Sequence, residues 1–222
     1  MKQYKQDFIE LLVKAEALKF GEFTLKSGRV APYFLNTGSF FTGELLTRLG
    51  EAYADAFLDS GVEADVLFGP AYKGIPLSVV TTSVLYLKHN VNKNYCFDRK
   101  EVKSYGMKDA LVGASLDENT KVLLVDDVIT AGTAIRVSLE TLKNNGNPKV
   151  MGVLIAMDRM EKNNEGVSAM KAIEKDYGFP VFPIVNLDEV IEALYNKEVD
   201  GKVYIEDEMM ETIKKYRSEY GV

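Results

Sequence analysis

Hydrophobic positions along this chain follow two rhythms, and the rhythms alternate. Phe8, Leu11, Leu12, Ala15 and Leu18 recur at three- and four-residue spacing, which predicts a helix over residues 3–18. Two short runs, 23–26 and 32–35, flank Ser27-Gly28-Arg29 and predict a hairpin. Leu45, Leu46, Leu49, Ala52, Tyr53, Ala56 and Phe57 return to helical spacing over 43–59. Compact strand-like runs follow at 66–68, 95–97, 121–125, 150–157 and 181–185. Helical patterns stand between and after them: 75–87, about 133 to the Asn145-Gly146 stop signal, 167–177, 187–195 and 207–220. Such alternation predicts an α/β fold with a mostly parallel central sheet flanked by helices. The first helix and the hairpin stand outside it. They are expected to form a small hood, about residues 1–40 with the C-terminal segment, over the ligand edge of a core spanning about 41–185. A chain of 222 residues is within reach of a single such domain.

Candidate chemistry concentrates in Val122–Ala134, VLLVDDVITAGTA. An apolar run suited to a buried strand ends in two adjacent carboxylates, Asp126 and Asp127. Thr130, Ala131, Gly132 and Thr133 then make a small-residue loop before a helix. In parallel sheets ligands bind beyond the carboxyl ends of the strands. Backbone N–H groups of a small loop at a helix N-terminus can wrap a phosphate. Carboxylates only accept hydrogen bonds, so the acid pair suits hydroxyl groups or a hydrated cation. A phosphate cradle beside a diacid implies a ligand with phosphate at one end and a diol at the other, as in a ribose 5-phosphate. No GxxxxGK[ST] loop is present.

Composition narrows the chemistry. A net charge of −6 offers no global basic field and argues against nucleic acid as a bulk partner. Cys96 is the only cysteine, which excludes an intramolecular disulfide and a Cys-based zinc site. His89 is the only histidine and reads as a solvated surface residue, so a Ser-His-Asp triad is disfavoured. A polar, charged N-terminus is unlike a signal peptide, and the apolar stretch 75–87 is too short to span a bilayer. A cytoplasmic protein without membrane partners is expected.

Three further segments carry candidate roles. Phe68–Ile75, FGPAYKGI, also follows a predicted strand, and its turn with Lys73 could hold an anion. Residues 99–108, RKEVKSYGMK, invert the local charge through Arg99, Lys100, Lys103 and Lys108. They open a polar stretch to about 118 that reads as a lid, and lid cations suit an anionic leaving group. In 19–38, Phe34 could stack on a flat heterocycle and Lys26 could reach an acidic group.

Taken together, FGEFTLKSGRVAPYF, FGPAYKGIP, RKEVK, LVDDVITAGTA and MDR resemble the type I phosphoribosyltransferases, and among them the bacterial orotate phosphoribosyltransferases. The resemblance covers essentially the whole chain and implies one phosphoribosyltransferase domain over 1–222. It implies transfer of the 5-phosphoribosyl group from phosphoribosyl pyrophosphate (PRPP) to orotate, with Mg²⁺ held mainly through PRPP. Carried over by position, PRPP would be bound by Lys26, Tyr72, Lys73, Arg99, Lys100, Lys103, Tyr105, Asp126, Asp127, Val128, Ile129, Thr130, Ala131, Gly132, Thr133 and Ala134. Orotate would be bound by Lys26, Phe34, Leu35, Thr130 and Arg159, with the Arg159 fork suited to its carboxylate. Lys103, Asp126 and Asp127 would be catalytic. A homodimer is implied, each lid Lys103 acting in the neighbouring site. Two positions depart from the family pattern. Tyr105 stands where a histidine is common, and with an ordinary pKa of about 10 it can donate a hydrogen bond but is a poor proton shuttle near neutrality. Leu35 stands where a second phenylalanine often follows Phe34.

Three rivals differ in what they require. A transferase for uracil or a purine would not need a cation for a base carboxylate. A PRPP-sensing regulator would need a nucleic-acid surface or an added domain. A phosphatase-like enzyme using Asp126 as nucleophile fits the TAGT loop poorly.

Overall fold

From the second helix onward the chain realises the alternation of strands and helices; it opens with a helix and a hairpin outside the central sheet, and Phe8, Ile9, Leu11 and Leu12 of that helix enter the same apolar core as Leu67 and Leu123 of the sheet. Our computed structural model describes residues 1–25, 28–100, 110–129, 132–163 and 166–222. Helix α1 (Gln3–Lys14) leads into the antiparallel hairpin of β1 (Leu18–Thr24) and β2 (Val30–Leu35). The helix is shorter than its periodicity predicts. Glu16 takes a left-handed φ of 51°, which ends the turn, and Leu18 instead pairs with Leu35. Accordingly β1 starts five residues before the predicted run at 23, which lay beyond the bulge between Phe20 and Phe23.

Then follow α2 (Gly43–Ser60), β3 (Val66–Gly69), α3 (Gly74–His89), β4 (Asn94–Asp98), β5 (Leu111–Gly113) and β6 (Lys121–Asp126). The second half adds α4 (Thr133–Asn144), β7 (Lys149–Asp158), α5 (Ala169–Tyr177), β8 (Val181–Asn186) and α6 (Leu187–Leu194). A two-strand ribbon, β9 (Glu198–Val199) and β10 (Lys202–Val203), precedes the last helix, α7 (Asp207–Tyr220). Caps explain several of these limits. Thr42 accepts from Leu45 N at the start of α2, and Gly61 closes it with φ 66°. Ser168 caps α5, which therefore begins two residues later than predicted. Asn186 and Glu189 form a reciprocal capping box on α6.

Six strands make the central sheet, in the order β5-β4-β3-β6-β7-β8. All neighbours are parallel except β4 and β5. Strand β5 was expected to be loop; three residues carry no readable period, and its identity comes from pairing Cys96 with Gly113. Alternate residues feed opposite faces. Leu67, Leu123, Val125 and Leu154 join one apolar core; Val66, Phe68, Val122, Leu124 and Val153 join the other. From β3 the chain moves outward to β4, then returns to β6 on the other side of β3. The strand order thus reverses between β3 and β6, and the crevice at a switch point of this kind is where open α/β sheets bind ligands.

The hairpin forms its own two-stranded sheet. Helix α7 packs on β2, with the Tyr216 ring edge-on to Tyr33 at 6.1 Å and Arg29 over the Tyr220 ring at 4.8 Å. His89 is half-buried with Nε2 3.0 Å from Asp55, so it is not the solvated residue its polar neighbours suggested. Among the described residues no helix is long and apolar enough to cross a membrane.

Candidate active site

Two helices begin just past the adjacent ends of β3 and β6. Among the described residues neither Lys73 before α3 nor Gly132 before α4 gives a side-chain cap to the first N–H groups. Helix starts of this kind can accept anions, and here two of them follow neighbouring strands. Between them stand Asp126 and Asp127, both buried.

The backbone of each loop is held by close approach. A Cβ on Gly74 would come within 2.6 Å of Pro70 Cδ and 2.8 Å of the Val125 carbonyl, so the α3 start lies directly against the end of β6. Gly132 has a φ of 71° ahead of α4, and Ile173 fills the space where its Cβ would lie. Ala71 N donates to Asp98 at the end of β4, 2.6 Å away, which pins the first turn from the far side.

Asp127 is the more heavily engaged acid. Its Oδ2 accepts from Lys73 Nζ at 2.6 Å and from Thr37 Oγ1 at 3.0 Å, and its Oδ1 accepts from Val128 N at 2.9 Å. Asp126 Oδ1 accepts from Asp127 N at 2.9 Å. The backbone beneath is fixed by the fully buried Tyr53, whose hydroxyl donates to the Asp126 carbonyl at 2.8 Å, and by Ala156 N, which donates to the Asp127 carbonyl at 2.9 Å. Burial, then the charge of Asp127, pushes the Asp126 carboxyl up to about 7.

The loop at 68–75 presents Tyr72, 70% exposed, with Lys100 Nζ 4.8 Å from its ring centroid. Arg99 N donates to the Ala110 carbonyl at 2.8 Å. Ile129 packs into the second core, while Thr133 and Ala134 open α4. On the hood, Phe34 is 41% exposed and stacked on Phe23 at 5.6 Å. Leu35 packs partly against the main core. Arg159 follows β7 directly and is not a free fork: its Nη2 binds Glu161 Oε1 at 2.7 Å, and its guanidinium lies 5.3 Å from the Tyr33 ring centroid. Lys26, Lys103, Tyr105, Thr130 and Ala131 lie outside the described residues.

Several participants escaped the reading of the sequence. Thr37, Tyr53, Asp98 and Glu161 gave no local signal; Tyr53 read only as one apolar position on a helical face. Their partners lie far off in sequence, as with Tyr53 and Asp126, 73 residues apart. Lys73 and Asp127 were read as separate tools, a cation for phosphate and an acid for hydroxyls, whereas here they form one ion pair.

The phosphoribosyl transferase domain family matches residues 42–184. Over its whole length the chain is 51% identical to orotate phosphoribosyltransferase of Colwellia psychrerythraea and 50% identical to that of Photobacterium profundum, covering 100% of each. The crystal structure of orotate phosphoribosyltransferase from Francisella tularensis superposes with a TM-score of 0.84 at 44% identity, over 97% of this chain and 100% of that one. This chain belongs to the orotate phosphoribosyltransferases.

Proposed function

We infer that the protein transfers the 5-phosphoribosyl group of PRPP to orotate, releasing pyrophosphate and forming orotidine 5′-monophosphate in pyrimidine biosynthesis. The observation that carries this reading is the buried Asp126/Asp127 pair set between two uncapped helix starts. In this arrangement the start of α4 takes the 5′-phosphate and the turn before α3 takes the pyrophosphate. The diacid takes the ribose hydroxyls and places C1 for attack by the base. A hydroxyl that takes Asp127 Oδ2 displaces Lys73 from it, and the released ammonium is free to meet the leaving pyrophosphate. Both carboxylates face the positive charge that grows on the sugar as pyrophosphate departs. Phe34 lines the base and Arg159 meets its carboxylate.

Mg²⁺ belongs to the proposal. Among the described residues no three acidic, imidazole or thiol groups stand together to hold a metal. Asp126 and Asp127 are hard oxygen donors, which suits an ion that keeps waters and takes its other ligands from phosphate. When bound with PRPP it neutralises charge on the pyrophosphate. A cytoplasmic setting is also proposed, and the buried thiol of Cys96 fits a reducing compartment.

Orotate consumption, followed with PRPP and Mg²⁺ beside uracil, hypoxanthine and adenine, tests the reading. Orotate should be the base consumed, and comparable kcat/KM for another base would overturn it. In the same assay Arg159→Ala should lower kcat/KM for orotate by roughly 10–100-fold, the scale of one lost charged hydrogen bond.

We also propose a homodimer in which Lys103 acts in the neighbour's site. Tyr86 and Leu87 of α3 stand exposed, as does Phe41 ahead of α2, which offers apolar surface for a second copy. Mixing Lys103→Ala with Asp127→Asn protein under subunit exchange should restore one site per heterodimer. Equal mixing then returns roughly a quarter of parental activity. Proven exchange without recovery would assign each lid to its own subunit.

A further inference from the structure

Three distant parts of the chain meet at one carboxylate beside the base site. Glu161 Oε1 accepts from Arg159 Nη2 at 2.7 Å and from Tyr33 Oη at 2.6 Å. Tyr33 comes from β2 of the hood and is 1% exposed. Its ring carries the Arg159 guanidinium on one side and the edge of Tyr216, from α7, on another. The backbone around Glu161 is gripped as well. Lys162 N donates to the Tyr220 carbonyl at 2.8 Å, Val222 N donates to the Met160 carbonyl at 3.0 Å, and Glu161 bridges Gly221. Met160, held at φ 53°, donates its N–H to Asp158 at 2.9 Å, so the chain turns sharply between Arg159 and Glu161.

We propose that Glu161 is a positioning residue that orients Arg159 toward the carboxylate of the base, with the C-terminal strap 216–222 and Tyr33 holding Glu161 in place. The proposal rests on the reading of Arg159 as the contact to that carboxylate. A guanidinium has five donors in a rigid plane, and an acid on one Nη atom sets the direction of the rest. Arg159 Nε is buried with no hydrogen-bond partner among the described residues, so the acid and the aromatic ring are what hold the plane. Such a device acts on the anionic base and not on PRPP, whose sites lie at the starts of α3 and α4.

A double-mutant cycle separates positioning from simple structural support. Glu161→Ala should raise KM for orotate at least about tenfold and leave KM for PRPP within about twofold, since two donors lose a charged acceptor. Glu161→Gln keeps an acceptor oxygen and should recover most of that loss. In an Arg159→Ala background, Glu161→Ala should add nothing further to KM for orotate. Effects that multiply in the double variant, or both KM values rising together, would overturn the proposal. Should Glu161→Ala fail to fold, Tyr33→Phe and Glu161→Gln run the same cycle, and independent effects there overturn it equally. Should Arg159→Ala alone leave KM for orotate unchanged, the reading of Arg159 fails first and this proposal falls with it. A failure confined to the Glu161 arms leaves the Arg159 reading standing.

Discussion

Asp126→Asn should give a protein more stable at pH 8 than its parent and at least about a hundredfold slower in kcat/KM for PRPP. Both effects come from the same burial. Asp126 sits at about 7, driven up first by desolvation and then by the charge of Asp127. In the unfolded chain it titrates near an ordinary aspartate, about 3.9. Between those values the folded state binds more protons than the unfolded state, so this group's contribution falls as pH rises from about 4 to about 7. Above 7 the full destabilisation is present, on the order of a few kcal/mol. An amide is never charged and can still accept from Asp127 N through its carbonyl. Urea melts should therefore show the variant ahead of the parent at pH 8 and level with it near pH 4. Activity moves the other way, because the ribose hydroxyls and the developing sugar charge call for the ionised acid. In the parent, kcat/KM for PRPP should fall as pH drops through about 7, on the acid limb set by free Asp126. A variant destabilised at pH 8, or one that keeps its activity, would contradict this account. A covalent sugar adduct on Asp126 would replace positioning with nucleophilic catalysis.

Gly69→Ala should be the most destabilising single change around the site, costing about 3 kcal/mol or more. Gly69 ends β3, and its missing Cβ is the reason the chain can reverse there. A methyl group at that position would run into the Gly74 carbonyl and to within 2.5 Å of Ser78 Oγ. The carbonyl belongs to the first turn of α3, so the obstacle is backbone and no rotamer change relieves it. Relief would require moving the start of α3 away from the end of β3, which opens the turn proposed for pyrophosphate. The urea midpoint should fall with the m-value unchanged, and PRPP affinity should fall with it. Gly43→Ala is the matched control: nothing lies within 4 Å of its Cβ, and its effect should stay within about half a kcal/mol. If both glycines tolerate alanine equally, the close approach of β3 and α3 is not what shapes the turn.

Local chemistry was legible along the chain. The run Val122–Val125 reads as a strand buried on both faces because all four residues are apolar, and all four are fully buried. Asp126, Asp127 and the glycine loop after them follow in the order that puts acids at a strand end and N–H groups at a helix start. Helical spacing in α2 and α7 likewise needs only neighbours three and four residues away. The sequence by itself thus determined the types of the longer elements, the α/β class and the kind of ligand that its strand-end groups suit, but not the short strands β5, β9 and β10. Tertiary structure alone decided which strand ends lie side by side. Placing β6 beside β3, on the side away from β4, brings Lys73 onto Asp127 across 54 residues, and the packing of α2 sets Tyr53 beneath Asp126. It also decided that Arg159 is held by an acid and a hood tyrosine, and that β5 is a strand at all. Periodicity reports which face of an element is apolar. It carries no record of which other element covers that face, because burial is non-directional and many partners would satisfy it. Hydrogen bonds and ion pairs between distant side chains exist only once packing has chosen the partner, so they were fixed last.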